Sequence, residues 1–249
     1  MRLTQQILMG FFAVLVLGTF SLNSNAQFEG GVPPILLNYM PNAVYVPPGF
    51  DNNDKVHFVY DGYFPDTCLK HGKSDVRVDL ANRTIYVQNM VYYYEQQLCM
   101  EMLVHYQDTV TVGLLPAGNY NIIFEDNNLT PIPVASLRVD QANKTNLDEH
   151  LYAPVSNVIF DDLPDGGKAI TIKGEFTNSC MRLKDVKILH RVSNVIEVLP
   201  IAEMPGGQCL TVAVPFSVSV RLPQSNSGRK LVHIRSLNGK SLNRIVRFN

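Results

Sequence analysis

Beyond residue 26 the sequence has no apolar run long enough to cross a bilayer as a helix, so no membrane span is expected in the remainder of the chain. It has no stretch with the three-to-four-residue apolar spacing of an amphipathic helix, which argues against helical bundles and alternating α/β folds. Charge is sparse, at 17% of residues, while 46% are hydrophobic, a balance that supplies a packed core and argues against a disordered chain. Motifs of catalysis are missing too. No G-x-S-x-G occurs, and the six histidines, His57, His71, His105, His150, His190 and His233, show neither H-x-H nor H-E-x-x-H spacing. Ser227 and Lys230 match S-x-x-K without its companion motifs, which leaves an acyl-enzyme unsupported.

Residues 1–26 form a separate block: Arg2, an apolar run ILMGFFAVLVLGTF, then the polar SLNSNA ending at Ala26. This order reads as a signal peptide cleaved after Ala26, with an uncleaved anchor as the other reading. No cysteine lies near the cut, which excludes a lipid anchor there. The four cysteines all follow it, and an even number in an exported chain favours two disulfides over free thiols or a metal site.

GYFPDTC ends at Cys68 and GEFTNSC at Cys180, so the chain writes Gly-x-Phe-x-x-(Ser/Thr)-Cys twice. Gly62, Phe64 and Cys68 fall on Gly174, Phe176 and Cys180; further on, Cys99, Tyr106 and Val110 fall on Cys209, Phe216 and Val220. A period of this length means two copies of a small domain rather than a solenoid. Four cysteines allow three pairings, and their order does not choose among them. The equivalence of the two pairs makes Cys68 with Cys99 and Cys180 with Cys209 the economical choice. Each closed loop of about 30 residues is then worth roughly 3 to 4 kcal/mol in the chain-entropy account.

Alternating segments such as VRVDL, TIYVQ, TVTVGL, CLTVAVPF and SVSVRL, broken by Gly, Pro, Asn and Asp, read as strands. The expected fold is all-β: two tandem immunoglobulin-like β-sandwich modules, each with one internal disulfide, with a closed barrel as the weaker alternative. We place the modules at residues 27–140 and 155–249, with the polar, non-alternating 141–154 as linker. Asn238-Gly239 reads as a two-residue hairpin turn. The loop FDDLPDGGK gathers Asp161, Asp162 and Asp165, but Leu163 sits where a calcium loop needs an oxygen ligand, so a tight turn is expected.

The order G-x-F-P-D-x-C, a second Cys, V-x-Y, T-V-x-V and L-P-A-G-x-Y resembles an immunoglobulin-like domain of exported bacterial proteins. The match is close in the first copy and looser in the second, where GEFTNSC lacks the Pro-Asp and SNSGRKLVHI replaces the L-P-A-G-x-Y turn. The resemblance implies fold and export, and it brings no catalytic residue and no cofactor.

Two surface features stand out. Tyr92, Tyr93 and Tyr94 are consecutive in a strand, so they point to both faces; an exposed tyrosine suits binding, while packing beneath a loop is the alternative. Charge is divided as well: residues 27–153 carry 7 Lys and Arg against 15 Asp and Glu, and residues 154–249 carry 13 against 7. Arg229, Lys230, Arg235, Lys240, Arg244 and Arg247 crowd the last hairpin with His233. Such a hairpin suits an acidic protein or anionic envelope polymer, or the acidic first module within one chain or between chains; it also guards an edge strand. Nucleic acid is not expected, for want of an aromatic platform. Sequons at Asn82, Asn128 and Asn143 matter only in a eukaryotic setting.

These features together lead us to expect an exported, periplasmic or secreted, non-enzymatic protein that binds or assembles, without metal or cofactor. The alternatives are a pilus-type chaperone working by strand addition and an enzyme inhibitor.

Overall fold

The computed structural model describes residues 32–248 except 96, 144–147, 149, 225 and 226; the leader reading for residues 1–26 lies outside the described residues. Among the described residues every regular element is a strand, and no helix is long and apolar enough to cross a membrane. Pro33–Asn249 forms one compact unit.

The first sandwich sets a three-stranded sheet, β2 (Ala43–Tyr45), β4 (Val56–Asp66) and β7 (Glu101–Gly113), against a sheet built from β5 (Leu69–Asp79), β6 (Thr84–Tyr93), β8 (Gly118–Glu125) and β9 (Pro131–Asp140). Short strands β1 (Ile35–Asn38) and β3 (Phe50–Asp51) extend the second sheet, pairing with β6 and β9. The second sandwich repeats the plan. A sheet of β10 (Val155–Asp162), β11 (Lys168–Phe176) and β14 (Val214–Arg221) faces one of β12 (Arg182–Val192), β13 (Val195–Glu203), β15 (Gly228–Ser236) and β16 (Lys240–Phe248). Both larger sheets contain parallel pairs, β6 with β8 and β3 with β9 in the first and β13 with β15 in the second, a departure from the purely antiparallel immunoglobulin sheets. Alternation explains the cores: Phe58, Tyr60 and Phe64 of β4 point inward with Ile85 and Val87 of β6, as do Ile170 and Ile172 of β11 with Ile196 and Val198 of β13.

The repeated heptapeptide has a physical meaning at almost every position. Gly62 lies directly across from Tyr106, and Gly174 across from Phe216, and in each case the aromatic ring covers the glycine. Phe64 then stacks on Tyr106 with ring centres 4.3 Å apart, and Phe176 on Phe216 at 4.6 Å. Asp66 accepts the Cys68 amide at 2.8 Å and Asn178 that of Cys180 at 3.0 Å, closing the same side-chain turn. Thr67 Oγ1 accepts the amide of Met100, and Ser179 Oγ that of Leu210, tying the segment after the second cysteine. The disulfides are Cys68 to Cys99 and Cys180 to Cys209.

Two local readings change. The final hairpin loop has three residues, Leu237, Asn238 and Gly239, because Ser236 pairs with Lys240; Asn238 and Gly239 still take the left-handed conformation their types favour. Part of the segment read as linker is packed: Tyr152 and Ala153 are buried, and residues 151–153 bond to Pro200 and Ala202 of β13. Lack of alternation hid this, since among the described residues of the segment only a single bridge, Tyr152 to Ile201, is formed.

Candidate functional site

Strand β4 is buried on both faces from Val56 to Gly62, although only one face meets its own sandwich core. The other face meets the second sandwich. Tyr45 and Val59 pack on Val195 and Leu231, with Ala43 and Ile245 at the margin, so the β2-β4-β7 sheet lies on the β12-β13-β15-β16 sheet along a small apolar seam. Alternation puts His57 and Asp61 beside Val59, and Arg229, His233 and Arg235 beside Leu231, so the seam is mostly polar.

Two ion pairs flank it. Arg229 reaches Asp61 at 2.6 Å, donates to the Tyr63 hydroxyl at 2.9 Å, and contacts His105. Asp61 is 2% exposed, and together with burial, the larger cause, it pushes the Tyr45 hydroxyl up to about 12. Arg235 meets Asp54 at 3.4 Å, donates to the Gly49 carbonyl at 2.9 Å and lies over the Phe50 ring. Burial raises the Asp54 carboxyl, opposed by Arg235.

Between the pairs two imidazoles sit 5.2 Å apart. His57 Nδ1 bonds the Lys55 carbonyl at 3.1 Å and its Nε2 meets Ser241 at 3.0 Å; His233, fully buried, bonds Asn243 Oδ1 at 2.8 Å. Carbonyl acceptors place the ring proton on Nδ1 in both. Burial, with Arg235 adding to it, holds both imidazoles below their ordinary value, His233 well below. An unfolded chain protonates them near pH 6.5 while the folded one resists, so the unfolded state binds more protons and stability falls as the pH drops below about 6.5. Asp54 and Asp148, both raised, act with the opposite sign at lower pH. Urea unfolding across this range should show that slope, and replacing His57 and His233 together with Gln should remove most of it.

The six basic residues of the last hairpin thus divide. Arg229 and Arg235 are engaged across the seam, and Lys230 is buried with its amine donating to the Ser193 carbonyl. Lys240, Arg244 and Arg247 are exposed. Tyr92 is exposed opposite Leu36, Tyr93 packs on the first core, and Tyr94 is half-buried with its amide on the Cys68 carbonyl. Asp162 pairs with Lys168 and Asp165 with Arg221, so the acidic loop is a salt-bridged turn.

Sequence reading missed the apolar side chains beside the disulfides. Leu98 is 97% exposed and Leu103 71%, with Met100 and Met102 between them; Leu210 and Val212 are exposed at matching places after Cys209. The signal was present, since Leu98 and Met100 interrupt an otherwise polar approach to β7 and Met102 follows at its start.

Residues 59–132, within the first sandwich, match the family described as the ORF11 beta-sandwich domain. No curated protein and no solved structure matches the chain. The chain contains a β-sandwich domain similar to that family.

Proposed function

We propose that the protein is exported, with its leader removed after Ala26, and acts by binding or assembly in a cell envelope or outside the cell, not as an enzyme. Two disulfides, one in each sandwich, suit an oxidising compartment. The observation that carries the binding reading is the apolar ridge Leu98, Met100 and Met102 beside the Cys68–Cys99 disulfide, with Leu103 on the opposite face of β7, all left in water; exposed apolar side chains of this kind mark interaction surfaces. The partner is a protein with an apolar surface to match.

Replacing Leu98, Met100 and Leu103 with Ser should leave the unfolding free energy within about 0.5 kcal/mol per site. The same variant should abolish recovery of the partner when the tagged mature chain is crosslinked in its own cells. Unchanged recovery would overturn the role of the ridge. If recovery instead fails at high salt and on replacing Lys240, Arg244 and Arg247, the exposed half of the hairpin is the surface. A chaperone reading draws on β7, which among the described residues has a hydrogen-bonded neighbour on one side only; a partner added there as a strand would survive the serine substitutions.

A further inference from the structure

Five polar side chains that are distant in sequence meet inside the first sandwich. Tyr60 of β4 lies at the centre, its hydroxyl 3.0 Å from His71 Nε2, 2.6 Å from Ser74 Oγ, 2.8 Å from Asn89 Oδ1 and 3.4 Å from Asp108 Oδ2. Ser74 also reaches Asp108 Oδ2 at 2.7 Å. Tyr60 and Asn89 are buried. Burial raises the Tyr60 hydroxyl well above its ordinary value, so it stays a proton donor.

The fold does not need these groups, because the second sandwich builds the same places from apolar residues. Tyr60 pairs with Asp108 two residues before Gly62 pairs with Tyr106; in the second sandwich Ile172 pairs with Val218 two residues before Gly174 pairs with Phe216. Ser74 pairs with Asn89 on the inner face beyond Val87, and Val186 pairs with Pro200 on the inner face beyond Val198. His71 pairs with Val91, and Leu183 with Ala202. All five polar residues have an apolar counterpart.

The cluster is also one proton short. Three short contacts, Tyr60 to Asn89, Tyr60 to Ser74 and Ser74 to Asp108, join four oxygens that hold two hydroxyl protons. The Asn89 amide nitrogen is turned away to the Tyr39 carbonyl at 2.8 Å, so it gives none. Among the described residues the partners of Asp108 are hydroxyls and the Thr109 amide, none of them a cation. The cluster opens into a cavity of about 360 Å³ between β5 and β7, with Lys73 at its rim and Val76 and Val110 forming an apolar wall.

We propose that this mouth binds a neutral polyhydroxylated ligand, one sugar unit of a glycan. The carboxylate disfavours anions. A sugar hydroxyl takes the place of Ser74 as donor to Asp108, which frees the Ser74 proton for the Tyr60 oxygen while Tyr60 donates to Asn89; the sugar accepts from Lys73, and its ring C–H groups meet the valines. The volume lies at the small end of the range for ligand sites. The site is separate from the apolar ridge and does not depend on it.

The test titrates the mature chain with glucose, galactose, mannose and N-acetylglucosamine, and with n-butylamine as an amine probe, following backbone amide NMR shifts. At least one sugar should move the amides of residues 71–76 and 108–111. Ser74→Val with Asp108→Val, which installs the second sandwich's residues, should weaken that sugar at least about tenfold. The double variant should also unfold no earlier than the parent, since replacing both half-buried partners of a hydrogen bond by apolar groups of similar shape is nearly neutral or stabilising. Asp108→Asn, which keeps the shape, guards against misfolding and should weaken the sugar as well. If no sugar moves these amides, if only the amine does, or if the variants bind as the parent does, the assignment fails.

Discussion

Replacing Arg235 with Met is expected to lower the unfolding free energy by about 3 to 5 kcal/mol, the usual result of removing one partner of a buried ion pair. The side chain is 10% exposed and its partner Asp54 9%, so neither is well screened by water. Methionine keeps some of the packing on Phe50, but it leaves Asp54 buried without its cation and the Gly49 carbonyl without its donor. Asp54 is already raised by burial, and Arg235 is the largest influence opposing that rise. Replacing Asp54 with Leu in the same chain should return part of the loss, although the Asp51 amide then loses its acceptor. Urea unfolding of the two single variants and the double one checks this. A loss under about 1 kcal/mol for the single variant would show that the seam is not held there.

Gly174→Ala should be nearly as severe, at about 3 kcal/mol, at the upper end for overpacking. A β-carbon at this position would fall on the Pro154 carbonyl oxygen, far inside contact distance, and 2.7 Å from the Phe216 ring. Pro154 cannot move away freely, because Ala153 before it is fixed to Pro200 and Val155 after it begins β10. Gly62→Ala meets only the outer end of the Tyr106 side chain, which can shift at the cost of its 3.2 Å bond to the Met40 carbonyl. The expected order is therefore Gly174→Ala well below Gly62→Ala in stability, measured side by side by thermal unfolding.

The two glycines also show why the sandwiches were legible. A disulfide, a glycine under an aromatic ring and a hydroxyl tying a turn each demand a residue type at a fixed spacing, so the motif surfaces twice in the sequence. The seam left a different trace. His57 and Asp61, and Arg229, His233 and Arg235, sit on the alternate face of β4 and β15, where period-two reading assigns water. Only their sum was visible, as acid in the first half and base in the second, and that sum did not say whether the charges meet within one chain. The Tyr60 cluster left no trace at all. Its members lie at positions 60, 71, 74, 89 and 108, and each alone is an ordinary strand polar residue.

The polar character of the seam bears on how the chain is made. Domains generally fold as units from the N-terminus during synthesis, so the first sandwich exists for a time without the second. During that interval the outer face of β4 presents His57, Asp61 and Tyr63 around Val59, with Asp54 at its base. An apolar face of that size would invite aggregation, whereas carboxylates and an imidazole keep an unfinished chain wetted. When β15 arrives, Arg229 and Arg235 meet Asp61 and Asp54, so the groups that protect the half-made protein also direct its two halves into register.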